Sequence, residues 1–187
     1  MEKRIDKKSL RRDKILRSAQ QLFLAQGVEA TSVEDIAAAA GVSRATLFNY
    51  FRGKNAILEL MSAQMEPRLV QLVQHYLGKP LPTADRLQQI FSHSAKVIEQ
   101  TGDLNRLLFV HGSAGRGFPS LYQAFSELMS AAGNRGDVQE GEDIQLAAEL
   151  VYLSFVAGIL GWLREPVEDL QRQFESRARY LCDKLLA

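Results

Sequence analysis

The segment Thr31–Lys54 limits the fold of this chain most, because it predicts two short helices joined at a glycine. At its start, the Thr31 hydroxyl and the Glu34 carboxylate have the spacing of a capping box, which satisfies free N–H groups where a helix begins. Gly41 suits the left-handed position just after that helix, and Ser43 can cap a second one. Two helices with a short glycine-containing turn are typical of the helix-turn-helix, whose second helix enters the major groove of DNA.

The second helix of this motif is predicted to have one polar and one apolar face. Leu47 and Phe51 should point inward, together with Ile36 and Val42. Phe48 suits two interpretations equally, a core position or a contact to a thymine methyl group. The residues predicted to point outward are Arg44, Ala45, Thr46, Asn49 and Tyr50.

A third helix should precede this pair and complete a three-helix headpiece over residues 1–53. Its apolar side chains recur at the spacing of an amphipathic helix, and Gly27 ends the run. They are Ile15, Ala19, Leu22 and Phe23.

Charge is distributed unevenly along the chain. Residues 1–60 carry 11 Lys or Arg against 7 Asp or Glu, whereas residues 61–187 carry 12 against 15. Because neutralised phosphates supply most of the non-specific affinity for DNA, this split favours a polyanion-binding N-terminal part. A solvated tail is an equally good interpretation of residues 1–9.

Residues 54–187 are predicted to form a helical body, which makes the chain all-α. A long apolar run begins at Lys54 and contains Pro67, so this helix is either kinked there or made of two pieces. Breaks rich in glycine and proline separate the helices that follow. These breaks lie at 78–82, 111–117 and 133–141.

The penultimate helix, predicted over Glu142–Leu163, is apolar on nearly every side. Such a helix is either buried on several sides or spans a membrane. Its 18-residue apolar section, Leu146–Leu163, is short for a span and includes Glu149. No basic flank or aromatic belt accompanies it, so we expect no membrane partner.

Small residues in the penultimate helix would let another helix approach closely. They are Ser154, Ala157, Gly158 and Gly161. The last helix, predicted over Val167–Leu186 after Pro166, also has a continuous apolar side. Together the two helices are typical of half a homodimer interface, and a dimer would present two headpieces about one DNA turn apart on a palindromic operator.

These residues resemble the TetR family of bacterial transcriptional regulators. The similar segments are TSVEDIA from Thr31, GVSRATLFNYF from Gly41, and Lys54 followed by Leu58. The resemblance implies an all-helical homodimer with nine helices per chain, of which the first three bind DNA and the others bind a ligand and dimerise. Many relatives have Tyr where this chain has Phe48, so one hydroxyl contact to phosphate is either absent or supplied by another residue.

Carried over by position, the resemblance implies nine residues that contact DNA. Thr31 and Ser32 would lie near phosphates, with Tyr50 and Lys54 as further phosphate anchors. The residues implied at or near base edges are Ser43, Arg44, Ala45, Thr46 and Asn49. The chemistry agrees, because an arginine can pair with guanine O6 and N7, an asparagine with adenine, and a methyl group with thymine.

No pattern in the sequence predicts catalysis, a cofactor or a metal site. His75, His93 and His111 recur every 18 residues, but they lie in three different predicted helical segments and in no metal-binding helical pair. The glycine-rich segment 111–117 lacks the Gly-Lys-Ser/Thr ending of a phosphate loop, and we interpret it as a connector in which Arg116 is available to an anionic ligand.

Cysteine usage and the N-terminus predict a cytoplasmic protein. Cys182 is the single cysteine, so an internal disulfide is excluded, and a reducing compartment is favoured. The basic N-terminus has no apolar stretch behind it, so we expect no signal peptide.

A buried pocket for a small molecule is predicted between the central helices, because such pockets are mostly apolar with a few placed polar groups. The same aromatic spacing is also typical of an ordinary core. The candidate lining residues are Phe91, His93, Asn105, Phe109, His111, Phe118, Tyr122 and Trp162.

We therefore expect a dimeric, sequence-specific DNA-binding regulator, a repressor that a small hydrophobic or amphipathic effector releases from its operator. One alternative is a helical small-molecule-binding protein or enzyme in which the helix-turn-helix is only structural. A second is a DNA-binding dimer without an effector.

Overall fold

A computed structural model describes residues 7–100, 102–111, 118–165 and 169–187, and most of them are helical. The helices are, in chain order, α1 (Lys7–Gln26), α2 (Val33–Ala39), α3 (Arg44–Phe48), α4 (Lys54–Ala63), α5 (Met65–Leu77), α6 (Thr83–Gln100), α7 (Gly102–His111), α8 (Pro119–Arg135), α9 (Ile144–Arg164) and α10 (Leu170–Leu185). Extended pairing in the described ranges is limited to one isolated bridge between Val138 and Leu186. The predicted all-α class is confirmed.

The helix that begins at Lys54 is made of two pieces, one of the two predicted alternatives. α4 and α5 are separated by Gln64 alone, and Pro67 is the third residue of α5. Proline is tolerated there because the first N–H groups of a helix have no partner inside it. Counted as one interrupted helix, α4 and α5 bring the described part of the chain to the implied nine helices.

The described residues divide into two compact units. The headpiece unit lies within Met1–Ala63 and Asp103–Gly115, and it contains α1 to α4 and nearly all of α7. The body unit lies within Gln64–Gly102 and Arg116–Ala187, and it contains α5, α6 and α8 to α10.

The headpiece unit has a small apolar core in which α1 packs on α2 and α4, and α2 packs on α3. Each helix contributes one apolar face. The fully buried side chains at the centre of this core are Ile15, Phe23, Ile36, Leu47 and Ile57.

The capping box at the start of α2 lies one residue later than predicted. Ser32 is the N-cap, and its hydroxyl accepts a hydrogen bond from the Asp35 backbone N–H at 3.0 Å. Asp35 returns the bond by accepting the Ser32 N–H at 2.9 Å. The sequence offers two overlapping boxes, and the first is unavailable because the buried Thr31 hydroxyl donates to the Gly27 carbonyl at 2.7 Å.

The body unit is organised around four phenylalanines with no solvent exposure. Phe91 of α6, Phe125 of α8, Phe155 of α9 and Phe174 of α10 have ring centroids 5.1–5.3 Å apart in the contacting pairs. Edge-to-face and tilted ring pairs of this kind are favourable beyond the area that they bury. The cluster therefore ties four of the five body helices to one another.

Helix α9 begins two residues later than predicted and is capped by Asp143, whose carboxylate accepts from the backbone N–H groups of Gln145 and Leu146. Its Gly158 packs against the Phe174 ring so closely that a side chain at this position would collide with it. The small residue predicted to admit another helix thus admits α10 of the same chain.

The other side of α9 exposes a row of leucines. Leu146, Leu150 and Leu153 are 51%, 43% and 50% exposed, at intervals of four and three residues. α9 is also long and apolar enough to cross a membrane by length and composition, although 44% of its most apolar window is buried inside the protein. A buried core helix passes the same test.

The last helix also begins later than predicted. α10 starts at Leu170, and the Asp169 carboxylate caps it by accepting from the backbone N–H groups of Gln171 and Arg172. The predicted start at Val167 and the break at Pro166 lie outside the described residues.

Candidate nucleic-acid interface

The turn between α2 and α3 is built by local hydrogen bonds. Gly41 adopts the left-handed φ of +63° that favours glycine, and the Val42 N–H then donates to the Ala37 carbonyl at 2.9 Å. Ser43 caps α3 by accepting from the Thr46 N–H at 3.1 Å. These bonds set the direction in which α3 leaves the turn.

One side of α3 and its following turn is open to solvent. Leu47 and Phe51 are buried, as the spacing predicted, whereas Val42 is half-buried. Phe48 is 42% exposed, so of its two predicted positions the core is excluded. The predicted DNA-contacting residues that are exposed here are Ser43, Arg44, Ala45 and Asn49, and those half-buried are Thr46 and Tyr50.

Arg44 does not extend freely into solvent. Its Nη1 lies 2.8 Å from Oε1 of Glu34, in the first turn of α2. Its guanidinium carbon lies 5.5 Å from the centre of the Phe48 ring, within cation–π range. The side chain predicted to read a base is therefore held by one residue of α2 and one of α3.

The two residues predicted to lie near phosphates at the start of α2 differ in accessibility. Thr31 is buried, and its hydroxyl is used inside the headpiece unit. Ser32 is half-buried, and its hydroxyl donates to Asp35 Oδ2 at 2.6 Å. The hydrogen bonds from Ser32 hold the pKa of the Asp35 carboxyl below its ordinary value.

Lys54, the other implied phosphate anchor, contacts the turn between α1 and α2. Its Nζ donates to the Val28 carbonyl at 2.8 Å and to those of Glu29 and Thr31 at 3.4 Å. The Glu29 carboxylate lies 3.9 Å from the same ammonium group. Lys54 therefore joins the start of α4 to the segment that leads into α2.

Helix α1 carries the described part of the predicted basic arm. Its basic side chains are all exposed, which is the arrangement that attraction to a polyanion requires. They are Lys7, Lys8, Arg11, Arg12, Lys14 and Arg17. Residues 1–6 lie outside the described residues.

The candidate pocket residues are distributed over both units. Phe91 belongs to the buried four-ring cluster, and Asn105 is buried in the headpiece unit. Tyr122 stacks edge-on with Tyr152 at 5.4 Å, and Phe118 donates its N–H to the Tyr152 hydroxyl at 3.2 Å.

The other candidate pocket residues lie elsewhere or are not described. Trp162 is buried, with its ring in the space that a side chain at Gly102 would need. The side chains of Phe109 and His111 lie outside the described residues, as do residues 112–117 of the predicted connector.

Two depressions in the described surface have other linings. One, of about 970 Å³, lies beside α9 and α10 and is lined by Gly161, Glu165, Asp169, Arg172, Gln173, Ser176 and Arg177. The other, of about 380 Å³, lies between α5 and α8. None of the six candidate pocket residues whose side chains are described lines either of them.

Two of the three histidines lie near each other. The Tyr76 hydroxyl is 3.3 Å from Nδ1 of the exposed His93, and the His75 ring stands edge-on to Tyr76 at 5.2 Å. Over the ranges with described side chains, no three His, Cys, Asp or Glu residues converge as metal ligands would.

Sequence reasoning missed Glu34 as a partner of Arg44. Because the capping box was placed on Thr31, Glu34 was expected to bond to backbone at the start of α2. The adjacent pair Ser32 and Asp35 performs that role, which leaves Glu34 free to reach α3. The duplicated box in TSVED was the available signal.

Two short helices at a glycine turn, with an exposed polar second helix in the same unit as a basic α1, form a helix-turn-helix, a motif typical of DNA-binding proteins. Residues 15–61 match the family described as bacterial regulatory proteins, tetR family. The helix-turn-helix segment of the chain is therefore similar to this family.

A curated relative and two solved structures resemble larger parts of the chain. The HTH-type transcriptional repressor KstR2 of Mycolicibacterium smegmatis is 30% identical over 89 residues, which are 48% of this chain and 43% of that protein. The chain thus matches less than half the length of this relative.

The structural likenesses extend over nearly the whole chain. SmeT, the repressor of the Stenotrophomonas maltophilia multidrug efflux pump SmeDEF, is 21% identical with a TM-score of 0.78, over 94% of this chain and 90% of that one. Thermus thermophilus FadR, a repressor solved in complex with lauroyl-CoA, is 27% identical with a TM-score of 0.65, over 91% and 92%.

Proposed function

We propose that this chain is a transcriptional repressor that binds an operator through α3 and is released by a small hydrophobic or amphipathic effector. The observation that carries the proposal is the exposed side of α3 and its following turn, which presents Arg44 and Asn49 in the same compact unit as the basic α1. Arginine and asparagine are the side chains that most often read guanine and adenine in the major groove. The headpiece over residues 1–53 and the body over 54–187 would supply the two functions.

The proposed mechanism of release is reciprocal coupling. The effector would bind only the conformer in which the spacing of the two recognition helices does not match the DNA groove. It must then lower the affinity for DNA by the same factor by which DNA lowers the affinity for the effector. The FadR complex supports an acyl-CoA as the first effector to test, because that relative is 27% identical over nearly the whole chain. The proposed role is that of a cytoplasmic, non-enzymatic regulator.

The proposed dimer uses the exposed row of α9. Leu146, Leu150 and Leu153 form an apolar stripe at helical spacing, and Tyr180 of α10 is 64% exposed. Exposed apolar stripes of this kind mark interaction sites. A second copy of this chain would bury the stripe and present a two-fold pair of headpieces to a palindromic operator.

Selection of genomic fragments bound by the purified protein tests the DNA-binding proposal. We expect a palindromic consensus, with affinity that falls steeply as salt rises. Arg44→Ala should relax preference at one position of each half-site, at a cost of about 1–3 kcal/mol for the matching base. Binding without sequence preference would contradict the proposal and favour the alternative in which the helix-turn-helix is only structural.

Lys54 allows phosphate anchoring to be separated from support of the headpiece. Loss of a phosphate contact reduces the slope of log affinity against log salt by about one. Since the Lys54 ammonium is directed at three carbonyls, we expect Lys54→Met to lower headpiece stability and leave that slope unchanged. A slope reduced by about one would instead assign Lys54 to a phosphate.

The oligomeric state tests the α9 surface. Leu150→Glu should convert a dimer to monomers in sedimentation equilibrium, because it places a charge in the centre of the stripe. Leu24→Glu, which alters a leucine of α1 with 44% exposure, is the matched control. A variant that stays dimeric, or a wild-type protein that partitions onto vesicles, would reject this surface as the dimer interface.

Effector release is tested by adding lauroyl-CoA to the protein–operator complex. We expect concentration-dependent dissociation, with free lauric acid and free CoA as controls for the two halves of the probe. If neither this compound nor a library of hydrophobic compounds displaces DNA, the alternative of a DNA-binding dimer without an effector is favoured.

A further inference from the structure

Glu34 is an acidic side chain on the part of the headpiece unit that is proposed to approach DNA. It is the second residue of α2, and its side chain is 55% exposed. A carboxylate in such a place repels phosphates. An isolated Glu34 would therefore lower affinity for every DNA sequence, and its contact with Arg44 is the feature that offsets this cost.

The contact uses only one end of the Arg44 guanidinium. Nη1 lies 2.8 Å from Glu34 Oε1, whereas Nε and Nη2 make no hydrogen bond to any described residue. Nε and Nη2 point the same way from the planar group, and together they form one of its two bidentate edges. The edge that can pair with guanine O6 and N7 thus stays open while the opposite nitrogen is held.

Phe48 restrains the same group from a second direction. The ring centre is 5.5 Å from the guanidinium carbon, and Phe48 lies one helical turn after Arg44 on α3. The ion pair fixes the end of the side chain, and the ring fixes the surface on which its plane rests. An exposed arginine otherwise populates many rotamers, and binding has to select one of them.

We propose that Glu34 is a positioning residue that sets the base specificity of the headpiece by orienting Arg44. The inference rests on the proposed function, because it requires α3 to read DNA. Glu34 itself needs no contact with a base. It holds one nitrogen of Arg44, so that the Nε–Nη2 edge is presented in the orientation that discriminates guanine from the other bases.

The affinities of wild type and variants for an operator and its single-base-pair changes test this inference. Glu34→Gln should reduce discrimination at the Arg44-dependent position by about 5- to 20-fold, within the range of one base contact. Affinity for unrelated DNA should stay the same or rise about twofold, because one repulsive charge is removed. A loss of folding would instead weaken all sequences together.

Glu59→Gln is the matched control, because it removes an exposed charge from α4 in the same unit. It should leave discrimination at every position unchanged. In an Arg44→Ala background, Glu34→Gln should have no further effect on discrimination, since the residue through which it acts is missing. Equal discrimination by wild type and Glu34→Gln, or additive effects of the two changes, would overturn the role of Glu34.

A measurement without DNA gives a second readout. In the free protein, ¹⁵N relaxation should show the Arg44 Nε–H ordered in wild type and in Glu59→Gln, and mobile in Glu34→Gln. Equal order in all three would also overturn the inference. If wild type shows no sequence preference while its Arg44 is ordered, the proposed function fails although the contact exists, so the two failures are distinguishable.

Discussion

The headpiece unit and the body unit differ in how one of their helices begins. In the headpiece unit, α2 and α3 are capped by the residues immediately before them, Ser32 and Ser43. In the body unit, the N-cap Phe118 gives α8 no side-chain bond, and the carboxylate of Glu66 on α5 accepts the Ser120 and Leu121 N–H groups at 2.6 and 3.1 Å. The start of α8 therefore depends on a contact distant in sequence, whereas α9 and α10 of the same unit are capped locally by Asp143 and Asp169.

Other parts of the body unit are also joined by distant residues. The Thr83 hydroxyl donates to Asp137 Oδ2 at 2.7 Å and accepts from Arg135 Nη2 at the same distance, across more than 50 residues of chain. The Gln139 backbone N–H donates to the Leu185 carbonyl at 3.0 Å, which ties the connection after α8 to the end of α10. The body unit thus needs its whole helical set in place.

The largest expected effect is on the aromatic cluster that centres the body unit. Phe155→Ala should destabilise this unit by about 3–5 kcal/mol, because it leaves a cavity between three other rings. Urea unfolding followed by the fluorescence of Trp162, the single tryptophan, measures this change.

Phe48→Ala is the control for this substitution, with the same chemistry at a position that is 42% exposed. It should cost less than about 1 kcal/mol in the headpiece unit. Equal losses of stability in the two substitutions would contradict the difference expected between a buried ring of the body cluster and an exposed ring of α3.

The difference between local and distant contacts also explains which parts of the structure could be predicted from the sequence. Gly41, Ser43 and the inward Leu47 were readable from the sequence, because their partners lie within five residues. The α2 cap was displaced by one residue, since TSVED contains two boxes and only the burial of Thr31 selects between them.

Contacts in the body unit were harder to predict from the sequence, because many of the residues that contact each other there are far apart along the chain. Amphipathic spacing predicted its helices and their apolar faces, but nothing near Pro119 in the sequence indicates that Glu66 caps α8. The small residue Gly158 was visible, yet whether it admits α10 or a second chain depends on where Phe174 lies. The pocket candidates carry the same ambiguity, and Phe91 lies in the core cluster.

The next largest effect concerns the distant cap of α8. Glu66→Ala should destabilise the body unit by about 1–2 kcal/mol, because two N–H groups at the start of α8 lose their acceptor. Glu66→Gln keeps an acceptor oxygen and should cost less. Hydrogen exchange of the Ser120 and Leu121 amides locates the change, and unaltered protection in Glu66→Ala would show that the cap is dispensable.

A smaller effect is expected for the local cap of α2. Ser32→Ala should destabilise the headpiece unit by about 1 kcal/mol, and Ser32→Gly by only a few tenths, which is the pattern of a helix N-cap. Hydrogen exchange in α2 measures both changes. A larger loss in Ser32→Gly than in Ser32→Ala would point to backbone flexibility, and the cap would then not be the source of the stability.

The smallest expected effect is a difference between the two units in how their stability depends on pH. Hydrogen bonds from Thr83 and then Arg135 lower the pKa of Asp137, as those from Ser32 lower the pKa of Asp35. A carboxyl whose folded pKa lies below its unfolded value of about 3.9 stabilises the fold above that value and loses the contribution as pH falls through the folded pKa. Asp137→Asn should therefore flatten the acid end of the urea-midpoint curve reported by Trp162, whereas Asp35→Asn should leave that curve unchanged. The reverse result would show that acid sensitivity of the body unit does not depend on its remote Thr83–Asp137 contact.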